Sequence, residues 1–132
     1  MRTPTEKLSR LQKQILVLAL RNKLQEGREF DAPMGADVYH SQILAEIYEF
    51  PTRWPLRHDE RWKERAGHRR LHLDFDPAEI GQARYDAACS SISRAMARLE
   101  ARGLVKLYHG EITKWAGCQL TPLGVETAKR LS

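Results

Sequence analysis

The chain has 132 residues, of which 42% are hydrophobic and 30% charged, and its 22 Lys/Arg against 17 Asp/Glu give a formal net charge of +5. That length and mix suit one globular domain with a real core, exclude a collagen-like or wholly disordered chain, and admit a polyanionic partner without requiring one. The two cysteines do not form a secreted disulfide framework, and the longest early apolar run, residues 15–20, is too short to span a bilayer, so a cytoplasmic protein with no membrane association is expected.

Charge is distributed in blocks. Residues 1–28 carry seven Lys/Arg against two acids, residues 29–52 carry five acids and no Lys/Arg, and residues 53–73 carry seven basic against three acidic residues. Residues 74–86 turn acidic, and residues 87–132 again have seven basic against three acidic. The acidic block between Glu29 and Glu49 is not expected to face phosphates.

From the N-terminus, Thr5 can cap a helix over residues 5–26 that stops at Gly27. Leu8, Leu11, Ile15 and Leu18 form one apolar face of it, and Leu16, Leu20 and Leu24 a second. A single core needs one face. The second is either wrapped by the same domain or packed on another subunit, in which case Leu16, Leu20 and Leu24 form the interface of a homodimer. Asp37 to Phe50 reads as another helix with Leu44, Ile47 and Tyr48 inward.

Residues 50–75 are a basic insertion with two Trp, three His and two Pro. The segment reads as a surface excursion anchored by Trp54 and Trp62, as an arm that lays Arg69 and Arg70 on a DNA backbone, or as an Arg and aromatic platform for exposed bases. Asp76-Pro77-Ala78-Glu79 is a helix-start signal opening the region 76–102, which runs either as one long helix or with a break at Gly81. From Ala88 onward, Ile92, Ala95 and Leu99 fall on one narrow face, and Ser90, Arg94, Ala97 and Ala101 on the other. Gly103 can take the left-handed conformation that ends a helix, after which Leu104, Val105, Leu107 and Tyr108 favour a strand. Residues 104–121 read as a two-stranded wing and residues 122–132 as a closing helix.

This order resembles the MarR family of winged helix-turn-helix regulators. The family shows a Ser/Thr pair, a branched apolar residue, Ser-Arg, a Leu, a charged pair and Gly-Leu-Val. Here Ser90-Ser91, Ile92, Ser93-Arg94, Leu99-Glu100 and Gly103-Leu104-Val105 stand at matching spacing, and Leu120-Thr121-Pro122-Leu123-Gly124 is similar to the family's Leu-Thr-x-x-Gly entry into the next helix. Leu44-Ala45 sits where such proteins carry a Leu-Ala pair in the helix before the recognition helix. The chain departs from the pattern in the long stretch between those helices, in a wing tip, His109-Gly110-Glu111, that lacks the family's Asp-x-Arg, and in lacking the long carboxy-terminal helix that completes the family's dimer.

The resemblance implies a fold that is mainly α with a small β-wing (α+β), a winged helix-turn-helix in a single domain over residues 1–132. It implies sequence-specific binding of double-stranded DNA by a homodimeric transcriptional regulator. Ser90, Ser91 and Arg94 are the candidates for base contacts, and Ser93, Arg98, Arg102, Lys106, His109, Lys114, Arg69 and Arg70 for phosphates. The alternative is a winged-helix module that binds another protein without reading DNA. No metal and no cofactor is expected, because His58, His68, His72, Cys89 and Cys118 match no ligand spacing. Neither a phosphate loop nor a nucleophile elbow is present, so no enzyme activity is expected.

Overall fold

The computed structural model describes residues 8–26, 36–54, 74–108 and 117–132. Helix α1 (Arg10–Glu26) opens on a reciprocal cap: the Gln12 N–H donates to the Ser9 hydroxyl at 3.1 Å, and the Ser9 N–H donates to Gln12 Oε1 at 2.8 Å. Two N–H groups that a helix start leaves without partners are thereby satisfied. Leu8 and Ser9 precede the helix, so the expected span from Thr5 is corrected to a start at Arg10, with Thr5 itself outside the described residues.

Strand β1 (Val38–Tyr39) runs directly into helix α2 (His40–Glu46), where a continuous helix from Asp37 to Phe50 was expected. Two β-forming residues join a ladder instead, and Glu49, at φ 57, turns the chain after the helix. Ile43 and Leu44 are the core residues of α2, while Ile47 and Tyr48 are only partly covered.

Strands β2 (Thr52–Trp54) and β3 (Asp74–Phe75) then pair antiparallel, with Thr52 opposite Phe75 and Trp54 opposite Asp74. Asp76 caps the short helix α3 (Pro77–Ile80) by accepting the Ala78 N–H at 3.0 Å, and Gly81, at φ 107, separates α3 from the long helix α4 (Gln82–Ala101). Of the two openings the sequence allows for this region, the break at Gly81 is the one present. Helix α2 packs against α4 although a long stretch of sequence lies between them.

Helix α4 ends on Gly103 at φ 74, a conformation that costs a residue with a Cβ about 1 kcal/mol or more. The Leu104 N–H reaches back to the Leu99 carbonyl at 3.0 Å and the Gly103 N–H to the Glu100 carbonyl at 2.9 Å, pairing carbonyls that the helix end would otherwise leave open. Strands β4 (Val105–Tyr108) and β5 (Gly117–Leu120) follow, and β1 adds to the far side of β5, giving an antiparallel sheet in the order β1-β5-β4. Thr121 caps helix α5 (Pro122–Leu131) by accepting the Gly124 N–H at 3.0 Å, and its hydroxyl donates to the Gly103 carbonyl at 2.6 Å.

The core lies between α1, α2, α4 and the sheet, with Ile15, Leu16, Val38, Ile43, Leu44, Ile92, Leu99 and Leu104 fully enclosed. Leu16 at 0% and Leu20 at 5% exposure are therefore covered by their own chain, which corrects the expectation that they meet another subunit. Both α5 and β5 pack on α1, so more than one side of that helix is used inside the domain. Leu24 alone of that expected trio is exposed, at 66%.

A buried polar seam fixes how the elements meet. Asn22, fully buried, donates to the Asp37 carbonyl at 3.1 Å and to Gln42 Oε1 at 2.8 Å. The Asp37 carboxylate accepts the Leu120 N–H at 2.7 Å and lies 3.6 Å from the buried Lys23 ammonium. Unpaired, such groups would cost several kcal/mol each, so the seam strongly favours one register of β1 against β5 and one seating of α1.

Candidate nucleic-acid interface

Helix α4 presents a narrow buried face, Ala88, Ile92, Ala95, Met96 and Leu99, and leaves the rest of its circumference to solvent. At about 100° per residue, the exposed part divides into two edges. Arg84, Ser91, Arg94, Arg98 and Arg102 share one edge over about 27 Å of helix. The other carries Gln82, Asp86, Ser93 and Glu100, where Gln82 bonds Asp86 at 2.9 Å and Glu100 Oε2 accepts the Leu107 N–H of β4 at 3.0 Å. One side is a line of guanidinium groups, whose planar donor forks match phosphate oxygens and the edge of guanine. Its opposite is acidic and tied to β4.

Of the residues expected to contact bases, Arg94 is exposed and its Nη2 donates to Ser91 Oγ at 3.4 Å, so the two act as one unit on the basic edge. Ser90 is exposed and points outward between the two edges. Ser93 is exposed as well, on the edge that carries Asp86 and Glu100 rather than the arginines, each of those acids about 10 Å from it along the helix axis. Arg98 and Arg102 lie on the basic edge, and Lys106 is exposed on β4 next to the end of the helix. His109, Lys114, Arg69 and Arg70 lie outside the described residues.

The sequence reading passed over Arg84. Its guanidinium sits 5.1 Å from the centre of the Phe50 ring, a cation–π contact that holds the side chain on the basic edge just after the turn at Gly81. Helical periodicity counted back from Arg102, five whole turns away, would have found it, but Phe50, its support, is distant in sequence and carries no local signal.

Under the helix, His40 at the start of α2 meets the backbone of Cys89, and burial keeps its imidazole below the ordinary value of 6.5 even though that hydrogen bond opposes the shift. Burial also raises the Cys89 thiol, with Asp86 adding to the effect and the Tyr85 hydroxyl opposing it, so the thiol is held protonated and unreactive. Tyr85 itself is pushed up to about 12, first by burial, and packs against Phe75 at 6.3 Å between ring centres. This group joins α2, β3 and α4 as a structural joint.

Comparison with protein-family models, curated proteins and solved structures finds no match for the chain. Among the described residues no three His, Cys, Asp or Glu side chains converge to hold a metal ion, and no helix is long and apolar enough to cross a membrane.

Proposed function

We propose that this chain is a winged helix-turn-helix protein of the MarR-like kind that binds double-stranded DNA in a sequence-specific way, with α4 as the recognition helix and β4–β5 as the wing. The observation that carries this reading is the exposed basic edge of α4, where Arg84, Arg94, Arg98 and Arg102 stand in line beside small Ser and Ala side chains that let a backbone approach closely. The order of elements supports it as well: apart from β2, β3 and α3, which intervene between α2 and α4, the elements from α1 to β5 run helix, strand, helix, helix, strand, strand, and α2 packs against α4. In this role Arg94 and Ser91 meet base edges while Arg84, Arg98, Arg102 and Lys106 meet phosphates.

Titration of a random-sequence duplex at two salt concentrations tests the electrostatic half of the reading. Neutralising phosphates releases condensed counterions, so Arg84, Arg98, Arg102 and Lys106 should give a log–log slope of roughly −3.5. A slope near zero, or no binding in low salt, would refute the proposal.

A further inference from the structure

Helix α1 turns a second face to solvent, opposite Ile15 and Asn22. At about 100° per residue, Arg10, Lys13, Val17, Arg21 and Leu24 fall within one stripe along about 21 Å of helix. Leu24 is the most exposed large apolar side chain among the described residues. Beside the stripe, Val17 and Leu18 of α1, Ile47 after α2 and Leu131 at the end of α5 make the apolar lining of a cleft of about 400 Å³.

Charge around this cleft is one-sided. Among the described residues the only acid lining it is Glu46, already bound by Arg21 at 2.8 Å and by Gln42 Nε2 at 2.6 Å. Arg10 and Lys13 make no ion pair with a described residue. The apolar floor is therefore edged by cations on the α1 side.

We propose that this surface docks an acidic amphipathic helix of a partner protein. Apolar side chains of that helix, spaced at i, i+3 or i+4, and i+7, seat on Val17, Leu18, Ile47 and Leu131, and its carboxylates meet Arg10 and Lys13. A stripe of about 21 Å accommodates roughly four turns. A second copy of the chain fits poorly, because pairing α1 with itself sets the cations of one stripe against those of the other. The surface shares no residue with the basic edge of α4, so the interaction is tested independently of DNA binding.

The test is fluorescence anisotropy of the full chain with a labelled synthetic peptide of about 16 residues, Leu at the helical spacing above and Glu elsewhere. Saturable binding on the order of 10 μM is expected. A scrambled peptide of identical composition should bind at least about tenfold more weakly, as should the variants Lys13→Glu and Val17→Glu with the original peptide. Lys13 is exposed and its replacement leaves the core untouched, and circular dichroism checks the fold of both variants. A peptide with Lys in place of Glu should prefer Lys13→Glu to the unaltered chain. No saturation at about 1 mM, equal binding of ordered and scrambled peptides, or indifference to both substitutions overturns the proposal. So does self-association in sedimentation that Val17→Glu abolishes, which would give the surface to a second copy.

Discussion

Arg94 and Ser93 are adjacent in sequence yet stand about 100° apart on α4, one among arginines and the other on the edge that carries Asp86 and Glu100. If α4 reads DNA, the two should behave differently. Arg94→Ala is expected to weaken specific binding by about 1 to 3 kcal/mol, the range for one good base contact, while Ser93→Ala leaves affinity and preference unchanged. Arg84→Ala should lower the salt slope by roughly one and weaken all sequences alike, as for a phosphate contact. Competition titrations with specific and random duplexes separate these outcomes, and a Ser93 variant as weak as the Arg94 variant would contradict the division into edges.

His40 carries a separate prediction. Its folded pKa lies below the ordinary value of 6.5, so below that pH the unfolded chain binds the extra proton more readily than the fold does. The fold is unpenalised above the unfolded value and loses stability as pH falls toward the folded one. Between about pH 7 and pH 5, the unaltered chain should therefore lose more stability than His40→Gln, measured by urea midpoints at each pH. Equal losses would show that His40 takes up its proton without disturbing the fold.

At the level of elements, α5 is seated by a close approach at Gly124, where an added Cβ would run into the Leu104 carbonyl at the start of the strand after α4. Both ends of that junction are held by Thr121, which bonds Gly103 and Gly124. Gly124→Ala should cost about 3 kcal/mol by denaturant titration, because backbone has to move, and a loss under about 0.5 kcal/mol would mean that α5 is free to shift. In the sequence this junction was visible as Gly103-Leu104-Val105 and Leu120-Thr121-Pro122-Leu123-Gly124, and the stop, strands and helix start appear where those residues place them. The ends of α1 and α2 were less legible. Ser9 and Gln12 compete with Thr5 as a cap, and Val38-Tyr39 suits a helix face or a ladder until β5, far along the chain, is there to pair with it. The fate of Leu16 and Leu20 was likewise set by distant partners, since the elements that pack on α1 include α5 and β5. On α4 the arginines were readable, whereas the acidic setting of Ser93 and the Phe50 support of Arg84 depend on angle and tertiary contact.

Among the described residues, exposed cations gather along the edge of α4 with Lys106 and along the outer stripe of α1. The acids Asp37 and Glu46 are instead drawn into the seam that joins α1, β1, α2 and β5. A net charge of +5 displayed this way suits a domain that meets a polyanion on one side and leaves another side for a second partner. Selection of bound sequences from a random duplex pool, run in parallel with the unaltered chain and with Arg94→Ala, tests directly whether α4 reads bases. The expected result is a defined consensus for the unaltered chain and loss of preference at one position for the variant. A pool that stays unenriched, or the same consensus from both proteins, would contradict the assignment of α4 as a recognition helix.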